Sequence, residues 1–160
     1  MKKAVAKKTL SKKYVYLREV QIKFKKKRIK SDSPVGKSVT NSKIIYQIFK
    51  DLENGAKEKL IIISVDAQLR IMCFEVVAIG SLTTLTVRPI DILRGVIHVA
   101  PYGLVFVHNH PSGDPEPSKE DIQITQRLQE VGNIVGIKVL DHIIVGNGRY
   151  VSLRDKGVVS

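Results

Sequence analysis

At 160 residues, 43% of them hydrophobic, the chain has one domain's length and enough apolar material for a real core. A single cysteine, Cys73, excludes a disulfide framework and suits a reducing compartment. No run reaches the ~18 apolar residues of a membrane span, and the basic first 13 residues lack the apolar centre of a signal peptide, so a soluble, cytoplasmic protein is expected.

The net charge of +12 is segregated. Residues 1–37 hold 14 Lys and Arg against 2 Asp and Glu, whereas residues 38–160 hold 13 of each. The excess therefore lies wholly in an N-terminal arm. Such an arm attracts polyanions, nucleic acid first, by neutralising phosphates and releasing counterions. A solvated tail has the same composition. Residues 1–13 read as a flexible Lys-rich arm, and residues 14–160 as the folded domain.

In chain order, Val20, Ile22 and Phe24 alternate with polar residues and predict a strand within residues 14–24. Pro34 and Gly36 mark a turn. Thr40 or Asn41 can cap a helix running to Asn54-Gly55, with Ile44, Ile45, Ile48, Phe49 and Leu52 on one face. Residues 60–65, with three consecutive Ile, suit a strand buried on both faces. Asp66-Ala67-Gln68 turns the chain into a second strand over 69–79. Gly80-Ser81 breaks it, and residues 82–87 continue extended. Pro89 opens a helix to about His98, with Ile90, Leu93 and Ile97 on one face.

Residues 104–107 form a further strand, and Ser118 starts a helix to about Val131. Short strands over 137–140 and 142–145 flank Asp141, and Asn147-Gly148 signals a hairpin into residues 150–153. Strand-length apolar runs between amphipathic helices predict an α/β or α+β fold, a mixed sheet flanked by helices.

The chemistry concentrates after the strand at 104–107. His108 and His110, two residues apart, point the same way, because side chains alternate across a strand. A turn stiffened by Pro111, Gly113, Pro115 and Pro117 leads to a helix start that carries Asp121. Two imidazoles and a carboxylate suit Zn²⁺ and leave a fourth position for water, the arrangement of metal-assisted hydrolysis. Asp121 also fits a capping box with Ser118. Asp141-His142 is a second cluster, read as a strand-end pair that fixes a turn, with support of a metal ligand as the alternative. His98, late in its helix, reads as a core or dipole-facing histidine. Glu75, a carboxylate amid apolar neighbours, is a candidate for a raised pKa.

The run His108-Asn109-His110-Pro111-Ser112-Gly113-Asp114-Pro115-Glu116-Pro117-Ser118-Lys119-Glu120-Asp121 resembles the signature of the RadC family, within the JAB/MPN (JAMM) metalloprotease-like superfamily. The superfamily pattern is His-x-His-Pro, six residues, Ser, two residues, Asp. His108, His110, Pro111, Ser118 and Asp121 meet that spacing. Residues 79–82, 140–146 and 149–152 extend the resemblance, which covers residues 40–157.

It implies a JAB/MPN, cytidine-deaminase-like architecture over residues 14–160. It implies zinc held by His108, His110 and Asp121, and a hydrolase acting on an amide bond in a protein or peptide. Ser118 would bond the water or the developing oxyanion. The general base would be a glutamate at the start of the strand after the first long helix, which is Glu58, with Glu75 as rival. Long members carry an N-terminal helix-hairpin-helix region that binds DNA, where this chain has its basic arm. A DNA-repair or mobile-DNA accessory role is the alternative function. After Gly80 the family shows Pro-Arg-Glu, where this chain has Arg88-Pro89-Ile90-Asp91.

Overall fold

The computed structural model describes residues 38–80 and 88–159, with isolated positions between residues 21 and 28. The strand expected within 14–24 and the extended stretch expected at 82–87 lie outside the described residues. The chain divides into two units, residues 1–30 and 31–160, and every element named below belongs to the second.

Helix α1 (Ser42–Phe49) is capped by Asn41, whose side-chain oxygen accepts from the Ile44 N–H at 3.1 Å. It does not run on as an α-helix to Asn54. Lys50–Asn54 tightens into a 3-10 turn, a stretch that is mostly polar and extends the apolar stripe only by Leu52. Gly55 follows in extended conformation with φ −77° and bonds back to the Leu52 carbonyl. The chain then enters β1 (Lys59–Val65), buried along nearly its whole length. Asp66 holds the next turn by accepting from the N–H groups of Gln68 and Arg70, both at 2.9 Å. That turn takes up Leu69, so β2 begins later than expected and spans Ile71–Ile79.

Helix α2 (Pro89–Val96) starts on its proline. The face expected to be buried is not the buried one. Ile92 and Val96 are buried, while Ile90 and Ile97 stand 60% and 52% exposed. The helix carries two apolar stripes that share Leu93, and Ile92, Leu93 and Val96 form the one that packs into the core. His98 lies past the helix and is exposed, neither in the core nor in the last helical turn. Arg88 grips Asp91 through two bonds of 2.9 Å.

Strand β3 (Gly103–Asn109) is wholly buried. Helix α3 (Lys119–Val135) outruns its expected end by four residues and stops at Gly136, left-handed with φ 74°. Gly132 lies within the helix. A Cβ there would come within 2.5 Å of the Ile137 carbonyl oxygen, so glycine permits a close approach of helix and chain.

Strand β4 (Lys138–Gly146) is one continuous strand, not two, and a hairpin through Asn147-Gly148 leads to β5 (Arg149–Ser152). The sheet order is β2-β1-β3-β4-β5. Only β3 and β4 run parallel, with α3 as their crossover, and the other neighbours are antiparallel. The fold is thus α+β with a mixed five-stranded sheet.

The sheet separates two apolar layers. Leu60, Ile62, Leu104, Phe106 and Ile144 pack with Ile92, Val96 and Leu128 under α2 and α3. Ile61, Ile63, Val105, Val107 and Ile143 pack with Ile45 and Phe49 under α1. Leu104 pairs with Val139 but Val105 pairs with Asp141, so Leu140 is the extra residue of a β-bulge. Counted straight from Val139, alternation would turn His142 toward α1. The bulge reverses this and turns it toward α3. Among the described residues no helix is long and apolar enough to cross a membrane.

Candidate metal centre

Four side chains from three parts of the fold converge at one end of the sheet. His108 is the penultimate residue of β3, and His110 follows just past the strand on the same face. Asp121 sits in the first turn of α3. Glu58 immediately precedes β1, where Leu60 pairs with His108, so alternation brings Glu58 to the histidine face. One ligand atom from each lies within 4.8 Å of the others.

The distances suit a shared cation. His108 Nε2 is 3.0 Å from His110 Nε2 and 3.3 Å from Asp121 Oδ1, and His110 Nε2 is 3.4 Å from Asp121 Oδ2. Bonds of ~2.0 Å to one tetrahedral ion put neighbouring ligand atoms about 3.3 Å apart. His110 Nδ1 lies 2.7 Å from the Asp114 carbonyl, which can only accept, so Nδ1 carries a proton and Nε2 is the nitrogen that is bare when the ring is neutral. Two bare ring nitrogens 3.0 Å apart repel, so a proton or a metal ion belongs between them. Glu58 Oε1 stands at 4.0 Å from His108 Nε2.

The charges point the same way. Burial works against the Asp121 carboxylate, but hydrogen bonds from His110 and Ser118 and the nearby His108 ring outweigh it and hold the group well below the usual carboxylate range. The bond to Asp121 raises His110 above the usual imidazole value. Burial, assisted by the neighbouring His142, pushes His108 well down. The site thus offers a persistent carboxylate and a neutral buried imidazole.

Ser118 caps α3. Its hydroxyl donates to Asp121 Oδ2 at 2.6 Å and accepts from the Asp121 N–H at 3.1 Å, and its own N–H donates to Oδ2 at 2.8 Å. The capping box and the metal-ligand reading of Asp121 are therefore compatible. Ser118 fixes one carboxylate oxygen while both oxygens face the imidazoles. Glu75 does not join the cluster. It lies midway along the edge strand β2, paired with Ile62, and its carboxylate packs against Gly95 of α2.

The Asp141-His142 pair divides between its two readings. Asp141 does fix a turn, accepting from the Ser152 hydroxyl at 2.8 Å and the Arg154 N–H at 3.1 Å. His142 does not. It is buried in mid-strand with Nε2 2.7 Å from His108 Nδ1.

Asn109, between the two histidines, went unread in the sequence. Fully buried, it faces the other side of the sheet and anchors the approach to β1. Its oxygen accepts from the Lys59 N–H at 2.9 Å, and its amide reaches the carbonyls of Gly55 and Lys57 at 3.3 Å each. The Gly80 N–H holds the Glu58 carbonyl at 2.9 Å. Asn109→Ala is expected to cost about 1–3 kcal/mol and to speed amide exchange at residues 55–59 while β4 stays protected. Hydrogen–deuterium exchange reads both.

A mixed sheet with a half-buried two-histidine, two-carboxylate cluster at its end defines an α+β domain whose cluster could hold a metal ion. The chain belongs to the RadC-like JAB domain family, whose model matches residues 39–158. It is 42% identical over 121 residues to a UPF0758 protein of Caldanaerobacter subterraneus subsp. tengcongensis, covering 75% of this chain and 52% of that one. It is 42% identical over 124 residues to a UPF0758 protein of Methanosarcina mazei (77% and 54%) and 38% identical over 122 residues to one of Aquifex aeolicus (76% and 53%). The chain spans about half the length of these curated relatives.

Proposed function

We propose that the domain is a zinc-dependent hydrolase that cleaves a peptide or isopeptide bond. The observation that carries this reading is the placement of Glu58. It joins the cluster of His108, His110 and Asp121, yet lies farther from His108 Nε2 than Asp121 does, 4.0 against 3.3 Å. That distance suits a proton acceptor beside the metal better than a fourth ligand.

Zinc, when bound, would polarise the scissile carbonyl and lower the pKa of a water toward ~7. His108, His110 and Asp121 hold the ion. Glu58 accepts the proton of the attacking water and delivers it to the leaving amine. Ser118 keeps Asp121 oriented through its main-chain N–H, and its hydroxyl turns from Asp121 Oδ2 to donate to the tetrahedral oxyanion. The test is a panel of peptides and isopeptide-linked conjugates offered to zinc-loaded protein. Cleavage that a chelator stops and zinc restores is expected. Stoichiometric zinc without cleavage of either class would refute the hydrolase reading.

The charge segregation favours a second reading, in which the basic residues 1–37 bring the domain to nucleic acid as a repair or mobile-DNA accessory protein. Deleting residues 1–13 removes six lysines and no acidic residue. Affinity for DNA is then expected to fall, and each lost phosphate contact should flatten the logarithmic salt slope by roughly 0.9. Zinc content should not change. A salt titration giving the same slope with and without the arm would remove this reading.

A further inference from the structure

Behind the metal-facing side of His108, three groups stand in one hydrogen-bonded line that ends on the main chain of another ligand residue. Thr125 Oγ1 is 2.6 Å from the Asp121 carbonyl and 2.6 Å from His142 Nδ1, and His142 Nε2 is 2.7 Å from His108 Nδ1. Thr125, His142 and His108 are all fully buried, so water does not compete for these bonds.

The direction of each bond follows from the first. A carbonyl only accepts, so the single Thr125 hydroxyl proton goes to Asp121. Toward His142 the Thr125 oxygen can then only accept, and His142 Nδ1 must carry a hydrogen. His142 is fully buried and its two ring nitrogens face a hydroxyl and an imidazole, not a carboxylate, so its ring is neutral and has no second proton. Its Nε2 is therefore bare and accepts from His108 Nδ1. In the neutral His108 ring, which is fully buried as well, the one proton is spent on this bond. Its Nε2, the atom that faces Glu58, His110 and Asp121, is left as a lone pair.

We propose that Thr125 and His142 are positioning residues that lock His108 in the Nδ1–H tautomer, so that Nε2 is ready to ligate before any metal arrives. The line also couples two ligands from different elements. His108 comes from β3, whereas the acceptor at the far end is the carbonyl of Asp121, one helical turn before Thr125 on α3. The Asp114 carbonyl performs the corresponding service for His110. Metal-bound histidines elsewhere use such partners to fix ring orientation, and losing one typically weakens metal binding 10–100-fold.

The consequence for metal binding rests on His108 being a ligand, but the tautomer is a property of the metal-free protein and is measurable alone. Long-range ¹H–¹⁵N correlation spectra of histidine-labelled, metal-free protein report which ring nitrogen carries the proton. Both His108 and His142 should be protonated at Nδ1 and bare at Nε2. Thr125→Val keeps the shape but cannot accept from His142. It should release both rings into mixed tautomers and weaken zinc binding about 10-fold or more, measured by competition with a chromophoric chelator. Thr125→Ser retains the hydroxyl and should restore both properties. A proton on His108 Nε2 in the wild type overturns the proposal without any variant, as does a Thr125→Val protein with unchanged tautomers and affinity. If the wild type shows the expected tautomers but binds no zinc, the relay stands and the metal reading of the site fails.

Discussion

Glu58→Gln is expected to keep the zinc and the fold while cutting hydrolysis by about 10²–10⁴-fold, the usual contribution of a positioned general base. Glutamine has the same length and fills the same space beside His108, but its amide cannot take a proton from water. The main-chain contacts of Glu58 are untouched, because the Gly80 N–H binds its carbonyl rather than its side chain. Glu75→Gln is the internal control. That carboxylate packs on Gly95, so its loss should leave turnover unchanged. Rates measured side by side at equal zinc occupancy decide the matter. An active Glu58→Gln protein together with an inactive Glu75→Gln protein would reverse the assignment.

Replacing either histidine with alanine is expected to release zinc, but with different effects on the metal-free protein. His110 is only partly buried, and its Nδ1 bond goes to a carbonyl near the surface. Its removal should leave the melting temperature of the metal-free form nearly unchanged. His108 is fully buried and donates to His142. His108→Ala leaves a cavity and strands a buried acceptor on His142, at a cost of about 1–3 kcal/mol for the unmet bond alone. Metal analysis and thermal melts on both proteins check this. Full zinc retention in the double variant would sink the ligand assignment. Equal melting losses in the two single variants would show that the His108–His142 bond contributes little to the fold.

Much of this arrangement was legible because it is local. His108, His110, Ser118 and Asp121 fall within fourteen consecutive residues of one strand–turn–helix, and period-two and cap rules suffice to bring them together. Glu58 lies fifty residues upstream and came from the family resemblance, since a glutamate between two lysines looks like ordinary surface. Glu75 drew attention for its apolar neighbours, but those neighbours belong to β2, whose side chains are only partly covered. Helix α2 was turned to the wrong face because apolar residues occupy two stripes, and only the sheet decides which is buried. Asn109 and Thr125 went unread and His142 was weighed only beside Asp141, because the partners that give them their places include residues 17–54 positions away. Thr125 had one readable clue. It lies one helical turn after Asp121 and so shares its face.

The bulge at Leu140 also determines where the chain can change length. It has room because Gly103 opposite lacks a side chain. A Cβ there would meet Leu140 Cδ1 at 2.7 Å. From Asp141 onward β4 keeps strict step with β3, so His142 faces α3 whether or not the extra residue is present. Loss of Leu140 would simply straighten the ladder, whereas loss of Ile143 would turn Ile144 and Val145 to the opposite layers. Drift in residue number on the stretch after α3 is thus absorbed before it reaches the histidine, much as an expansion joint protects the span beyond it.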